Sequence, residues 1–179
     1  MSDLKQNIKN HKKIISIYGL GNVGGAIAAS WLRAGSKVIG VDLSDKLLKD
    51  IKIGRSHKKE PFVSKVFSNA LKTKNLVLTK DGVNASKNSD IKIIVVPVAI
   101  TRTKTDLSNV ISVAQTISQG LKKGDAVVLS PSVPPGTTEE ILLPILERGS
   151  KLKGERDFSL IYNPERIFEG RAIQDIEEN

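Results

Sequence analysis

The sequence predicts an α/β domain in which helices cover both faces of a doubly wound parallel sheet. Two observations predict this class. Short apolar, β-branched runs alternate with longer segments of helical periodicity, as when helical crossovers join parallel strands. A glycine-rich turn stands directly between the first apolar run and the first helical segment. With 179 residues, the chain is long enough for one domain with a sizeable core.

The first strand and helix follow a polar leader. Residues 1–13 are lysine-rich and are expected to form a flexible basic leader, which leaves 14–179 as the domain. An apolar run predicts the first strand at 14–18, and helical spacing predicts the first helix at 22–34. Four residues of this helix are expected to face the sheet: Val23, Ile27, Trp31 and Ala34.

Each later element is predicted by the same two signals and is bounded by glycine, proline or polar turns. The run at 91–96 is the clearest central strand because it is β-branched and almost continuously apolar. Pro144 is expected to kink the last helix or to restart it at a first turn, since its ring does not fit a helix interior. In chain order the elements are strand 37–41, helix 44–53, helix 62–72, strand 75–79, helix 81–88, strand 91–96, a polar loop at 98–106, helix 107–121, strand 126–130, a helix from Thr137 with Glu140 at capping-box spacing, and strand 158–162.

The glycine-rich turn has the pattern G-x-G-x-x-G, formed by Gly19, Gly21 and Gly24 around Asn22 and Val23. The pattern alone is weak, but between a strand and a helix it predicts a Rossmann-like dinucleotide site. The first glycine allows the tight turn, the second lets backbone approach a pyrophosphate, and the third lets the helix pack closely. The helix N-terminus adds N–H donors and partial positive charge.

An acidic residue ends the second predicted strand. Asp42 lies 18 residues after Gly24, near the spacing expected for an acid that binds the adenosine ribose hydroxyls. A carboxylate there repels a 2′-phosphate, which favours NAD over NADP. The alternative is that Asp42 only caps the helix near Ser44, although Ser44 is able to cap that helix itself.

Composition excludes several classes of site. The chain has no cysteine, and neither His11 nor His57 has a partner at metal-ligand spacing, so no metal site is expected. No apolar run reaches membrane-spanning length and no signal segment is present, which predicts a soluble cytoplasmic protein without membrane contact. The net charge of +9 is interpreted as a lysine-rich solvated surface, or as a basic face that attracts anionic nucleotides, and not as a nucleic-acid site.

Polar or proline-containing segments follow several predicted strands, where ligands of open α/β sheets bind. Pro97 follows strand 91–96, and the segment from Pro131 to Thr138, with Ser132, follows strand 126–130. Asn163-Pro164-Glu165-Arg166 follows the last strand. We expect these segments to converge with the glycine turn on one sheet edge.

Three segments in this order resemble the N-terminal domain of the UDP-glucose/GDP-mannose dehydrogenase family, most closely its UDP-N-acetylmannosaminuronate dehydrogenase branch. They are the glycine turn, Val133-Pro134-Pro135-Gly136-Thr137-Thr138 and Asn163-Pro164-Glu165-Arg166. The resemblance implies oxidation of a nucleotide-sugar primary alcohol, a UDP-sugar above all, to a carboxylate with two NAD in polysaccharide biosynthesis. The intermediates are an aldehyde and a thioester on a cysteine. It also implies a homo-oligomeric full-length enzyme.

The resemblance assigns site residues as well. It implies that Gly19, Gly21, Asn22, Val23, Gly24, Asp42, Pro97 and Ser132 bind NAD. It implies catalytic roles for Ser132, which positions a water or the sugar hydroxyl, and for Glu165 and Glu169, the second of which is linked to thioester hydrolysis. The alternatives are that Ser132 satisfies a local turn, that Glu165 pairs with Arg166 or Arg171, and that Glu169 is a solvated charge.

The chain departs from the family pattern at two positions near the expected cofactor site and in its length. Val98 stands where a hydroxyl is usual, and Pro131 replaces a small polar residue before Ser132. The C-terminal nucleotide-sugar domain, with the catalytic cysteine, is expected to be absent, so the chain should bind NAD without completing the oxidation alone. One alternative is a non-catalytic NAD-binding or interaction module. Another is a related β-hydroxyacid dehydrogenase, but the segments at 133–138 and 163–166 argue against that family.

Overall fold

A computed structural model describes residues 13–57, 61–100 and 104–164. The strands are β1 (Ile14–Tyr18), β2 (Lys37–Val41), β3 (Leu76–Thr79), β4 (Ile91–Ile94), β5 (Ala99–Ile100), β6 (Thr105–Asp106), β7 (Ala126–Leu129) and β8 (Ser159–Tyr162). The helices are α1 (Asn22–Arg33), α2 (Asp45–Lys52), α3 (Pro61–Lys72), α4 (Gly82–Lys87), α5 (Ser108–Ser118), a π-helix (Thr137–Leu142) and α6 (Leu143–Ser150). The predicted leader lies outside the described residues except for Lys13, whose Nζ pairs with Oδ1 of Asp90 at 3.1 Å.

Six parallel strands form one sheet in the order β3-β2-β1-β4-β7-β8. The chain builds outward from β1 to β3, then returns to the other side of β1 with β4. This reversal between β1 and β4 is a topological switch point, where open α/β sheets bind ligands beyond the carboxyl ends of their strands. The predicted fold class, a Rossmann-like doubly wound parallel sheet, is confirmed.

Helices cover both faces of the sheet. One core combines β1 and β2 with α1 and α3, and Phe67 of α3 is fully buried in it. The other combines β4 and β7 with α5 and α6, around Ile117 and Leu146. None of the described helices is long and apolar enough to span a membrane.

The burial of α1 agrees with the prediction only in part. The buried residues are small: Gly24, Gly25, Ala26, Ala28 and Ala29. Three of the four predicted residues, Val23, Ile27 and Trp31, are only partly buried, and Ala34 is exposed. Ile27 and Trp31 nevertheless pack against the core that contains β1 and β2, and the small buried side chains let the helix approach its neighbours closely.

Several element boundaries also differ. Strand β4 ends at Ile94, and the predicted loop at 98–106 contains the short antiparallel pair β5–β6, with 101–103 outside the described residues. The segment from Thr137 begins as a π-helix, and Pro144 lies in the first turn of α6, as its restart prediction requires. The capping box does not form, because the N-cap is Gly136 and the Glu140 N–H donates to the Gly136 carbonyl at 2.8 Å instead of to the Thr137 hydroxyl.

Candidate functional site

A cleft of about 800 Å³ opens at the carboxyl ends of the central strands, at the switch point. Segments that are far apart in sequence meet there, since the ends of β1, β2, β4 and β7 all contribute. The residues proposed from sequence that line it are Gly19, Gly21, Val23, Gly24, Asp42, Pro97 and Ser132. Asn22, the first residue of α1, is exposed beside them.

The glycine turn has no room for side chains at two of its three glycines. Gly19 has φ of +99°, and a Cβ there comes within 2.6 Å of the Val95 carbonyl oxygen. A Cβ on Gly24 comes within 1.9 Å of the Gly19 carbonyl oxygen, which fixes how closely α1 follows the turn. A Cβ on Gly21 meets no described heavy atom within 4 Å and projects into open space. Gly21 is thus the position at which a ligand has room to approach backbone.

Asp42 is held rigidly at the end of β2. Its Oδ2 accepts a hydrogen bond from the N–H of Leu20, inside the glycine turn, at 2.9 Å. Its Oδ1 accepts from the N–H of Ser44 at 2.9 Å. Ser44 caps α2 with its own hydroxyl, which accepts from the Leu47 N–H at 3.1 Å. Asp42 is therefore not the cap of α2, and it joins the turn to the wall of the cleft.

The walls of the cleft differ in character. The lining includes four apolar residues, two of them highly exposed: Leu43, Leu47, Val98 and Ile100. Helix α5 contributes Asn109, Ser112 and Thr116, a polar row at helical spacing. The Asn109 side-chain amide donates to the Pro97 carbonyl at 3.0 Å and so fixes the segment after β4.

Sequence reasoning missed this polar row and other lining residues, among them Tyr18 and Lys80. The signal was present, because positions 109, 112 and 116 repeat at helical spacing on the side of α5 away from its apolar residues. Tyr18 also lines the cleft and donates to the Gly82 carbonyl at 2.8 Å, and burial raises the pKa of its phenol to about 12. Lys80 lies at the rim, where its Nζ pairs with Oδ2 of Asp45 at 3.0 Å.

The segment that carries Ser132 forms the opposite rim. Ser132 is exposed at the cleft mouth, and the neighbouring Val133 N–H donates to the Tyr162 hydroxyl at 3.4 Å. Because β8 pairs with β7, Asn163 follows at the same sheet edge, with its N–H donating to the Leu129 carbonyl at 2.9 Å. The predicted catalytic residues Glu165 and Glu169, and their alternative partners Arg166 and Arg171, lie outside the described residues.

The described residues fit a dinucleotide. Open space at Gly21, the N-terminus of α1 and a fixed carboxylate at Asp42 match the needs of a pyrophosphate and an adenosine ribose. Apolar surface at Leu43 and Ile100 suits an aromatic base. Within 13–57, 61–100 and 104–164, no group of three or more His, Cys, Asp or Glu side chains is arranged to hold a metal.

Comparison with known proteins identifies the family. The profile of the UDP-glucose/GDP-mannose dehydrogenase family, NAD binding domain, matches residues 13–179. UDP-N-acetyl-D-mannosamine dehydrogenase of Pyrococcus horikoshii is 30% identical over 165 residues, which are 92% of this chain and 39% of that protein. GDP-mannose 6-dehydrogenase of Pseudomonas syringae pv. tomato is 33% identical over 165 residues, 90% of this chain and 38% of that protein.

A solved structure agrees with these matches. GDP-mannose dehydrogenase from Pseudomonas aeruginosa, in a ternary complex, is similar with a TM-score of 0.85 and 32% identity, over 90% of this chain and 38% of that one. The chain therefore spans less than half the length of the relatives it matches. It belongs to the UDP-glucose/GDP-mannose dehydrogenase family, of which it is the NAD-binding domain.

Proposed function

We propose that this chain is the cofactor half of an NAD-dependent nucleotide-sugar 6-dehydrogenase, which oxidises a primary alcohol to a carboxylate. The observation that carries the proposal is the cleft in which the glycine turn and Asp42 are joined by the Leu20–Asp42 hydrogen bond. Relatives that oxidise UDP-N-acetyl-D-mannosamine or GDP-mannose support the reaction class. We infer a UDP-sugar as the substrate, in the cytoplasm.

The residues divide into binding and chemical roles. The turn from Gly19 to Gly24 binds the pyrophosphate through backbone N–H groups, and Asp42 accepts hydrogen bonds from the adenosine ribose hydroxyls. Pro97 and Ser132 border the other end of the cleft, where the nicotinamide belongs. NAD supplies the hydride acceptor. Conversion of an alcohol to a carboxylate removes four electrons and adds one water, so each sugar consumes two NAD and releases three protons.

Proton transfer is the task that we assign to the acids after β8. Alcohol oxidation releases a proton, and hydrolysis of an acyl intermediate needs an activated water. A glutamate near apolar groups suits both steps, because burial raises a carboxyl pKa toward neutrality. Glu165 and Glu169 follow the strand that ends beside Ser132, which supports this assignment.

The first test is cofactor binding by the chain itself. Calorimetric titration should show NAD binding and weaker NADP binding. Asp42→Asn should weaken NAD about tenfold, because the amide loses the charge-assisted bonds to ribose hydroxyls and to the turn. The substitution should also reduce the ratio of NAD affinity to NADP affinity, since the charge that repels the 2′-phosphate is gone. Ser44→Ala is the control, because it removes only the cap of α2. Absence of NAD binding at millimolar NAD would contradict the proposal.

The second test is turnover. A separately expressed nucleotide-sugar domain of a relative, added to this chain, should restore NADH production from a UDP-sugar or from GDP-mannose. Glu165→Gln should abolish that turnover with NAD affinity unchanged, whereas the exposed control Glu155→Gln should have no effect. NAD binding without any reconstituted turnover would favour the non-catalytic NAD-binding module instead.

A further inference from the structure

His57 lies directly behind the glycine turn. Its Nε2 is 2.8 Å from the carbonyl oxygen of Leu20 and 3.2 Å from that of Gly21. The imidazole is buried, and the described residues that line the cleft include Gly21 but not His57. The side chain therefore contacts the turn from the side opposite a ligand, although it is 36 residues away in sequence.

The hydrogen-bond chemistry fixes which ring nitrogen carries a proton. Carbonyl oxygens only accept, so Nε2 must be the donor to Leu20 and Gly21. Nδ1 lies 2.8 Å from the Ser56 hydroxyl, which can donate to a neutral ring. Both ring nitrogens thus have partners, and the imidazole is orientated as a donor toward the turn.

The two carbonyls determine where the adjacent N–H groups point. In a trans peptide, the carbonyl and the N–H of the next residue point in opposite directions. A carbonyl of Leu20 directed at His57 therefore turns the N–H of Gly21 away from it, and the Gly21 carbonyl does the same for the N–H of Asn22. The Gly21 carbonyl also accepts the first helical bond of α1, from the Gly25 N–H at 2.8 Å.

Leu20 is also held through its N–H, by the side chain of Asp42. The Leu20 N–H donates to Asp42 at 2.9 Å, while the Leu20 carbonyl accepts from His57. Both backbone groups of Leu20 are thus tied to side chains from outside the turn, and its own side chain is fully buried. The orientation of the turn does not depend on its own glycines alone.

The imidazole itself is tightly confined. His57 has φ of +53°, and its ring meets that of Phe67 edge-on, with centroids 5.5 Å apart. A Cβ built on Gly25 comes within 2.3 Å of His57 Nε2, so α1 leaves room for the ring only because residue 25 is glycine. This explains a glycine that lies outside the G-x-G-x-x-G pattern.

We propose that His57 is a positioning residue that aims the N–H groups of Gly21 and Asn22 at the cofactor pyrophosphate. It touches no ligand and acts through the peptide planes of the turn. Preorganised donors bind an anion more tightly because no reorientation is needed on binding. The inference rests on the proposed role of the glycine turn as the pyrophosphate site.

The test compares ligands with and without the pyrophosphate. Titrations of the full chain with NAD, ADP and adenosine are followed by NMR for the native protein, His57→Asn and His57→Gln. Asn tolerates positive φ but is too short to reach the carbonyls, so NAD and ADP should bind about fivefold more weakly, the factor that corresponds to one lost hydrogen bond of about 1 kcal/mol. Adenosine should change less than about twofold, because it lacks the phosphates. The Gln amide reaches the Nε2 position and should restore most of the ADP affinity.

Two controls separate positioning from a general effect on stability. Lys74→Asn alters another residue with positive φ, 58°, at an exposed position remote from the cleft, and should leave all three affinities unchanged. Gly25→Ala should weaken ADP binding in the native background but not in His57→Asn, where the ring no longer occupies that space.

If His57→Asn does not fold, Ser56→Ala takes its place. It removes only the hydrogen-bond partner of His57 Nδ1, so a smaller loss of ADP affinity is expected.

The outcomes are distinguishable. Equal weakening of ADP and adenosine, unchanged ADP affinity in the variant that removes the donor, or failure of Gln to restore binding would each overturn the role of His57. If the native chain binds neither NAD nor ADP, the proposed cofactor site itself is wrong. If it binds both and His57→Asn binds both equally well, only the positioning inference fails.

Discussion

The two ends of the central strands carry polar groups that are used in opposite ways. At the amino end, the Lys92 side chain is fully buried, forms an ion pair with Asp125 and donates to the Ser89 carbonyl at 2.6 Å. Asp125 also accepts from the Lys122 N–H at 2.7 Å. At the carboxyl end, Asp42 and the glycine turn border an open cleft. The same sheet thus has one edge closed by its own partners and one edge open to a ligand.

The two edges show that this fold uses separate polar groups for stability and for binding. At the closed edge, burial lowers the pKa of Lys92, and Asp125 opposes that effect. Removal of either member would leave the other charge buried without a partner, which destabilises the fold. At the open edge, Asp42 and His57 fix the turn but leave room beside Gly21. We expect changes at the closed edge to affect unfolding and changes at the open edge to affect the cofactor.

The largest effect is expected at the closed edge. Asp125→Asn leaves Lys92 buried without a counter-charge and should lower the free energy of unfolding by about 3–5 kcal/mol. The measurement is urea unfolding followed by circular dichroism. The exposed pair of Lys153 with Glu147 gives the control, since Lys153→Met should cost less than about 1 kcal/mol. Folded Asp125→Asn protein should bind NAD with native affinity. An affinity loss of about tenfold would contradict the separation of stability at the closed edge from binding at the open edge.

An intermediate effect on stability should distinguish two glycines of the same turn. Gly24→Ala forces a Cβ against the Gly19 carbonyl and should destabilise the fold by about 1–3 kcal/mol and also abolish NAD binding. Gly21→Ala places its Cβ in open space at φ of −62°, which alanine adopts without strain. Its stability should stay within about 1 kcal/mol of the native value while NAD binds at least about tenfold more weakly. Normal NAD binding by Gly21→Ala would mean that the pyrophosphate lies elsewhere.

The smallest effect concerns pH at the closed edge. Burial tends to raise the pKa of Asp90, but hydrogen bonds from the Ile14 N–H and Lys13 Nζ outweigh it and hold the pKa below its ordinary value of 3.8. The resulting stability is present above pH 3.8 and is lost as the pH falls through the folded-state pKa, because the unfolded chain then binds the proton more strongly.

Asp90→Asn should therefore be less stable than the native chain at pH 7, and the difference should shrink as the pH falls below 3.8. Urea unfolding at a series of pH values measures it. Lys13→Met removes the other member of the pair and should show the same convergence. A difference that is constant across this range would show that Asp90 contributes through packing and not through its charge.

Much of the open edge was predictable because it depends on local chemistry. A glycine turn between a strand and a helix, and an acid at the end of the next strand, lie within one short unit, so their spacing along the chain predicts that they share one site. The core-facing side of α1 was predicted only in part, because Ile27 and Trp31 do pack against the core, whereas hydrophobic periodicity gave no sign of the buried glycines and alanines between them. The capping box at Thr137 was also wrong, since the helix begins one residue earlier, at Gly136, whose carbonyl accepts the Glu140 N–H that the box requires.

The alternation of strands and helices, the glycine turn and the acid at Asp42 could be inferred from the amino-acid sequence, because they follow from periodicity and from steric limits within neighbouring residues. The folded chain was needed to show that Lys92 meets Asp125, that Asn109 holds the segment after β4 and that His57 contacts the turn. These contacts join residues distant in sequence, and their pairing depends on crossovers and burial that no local pattern records.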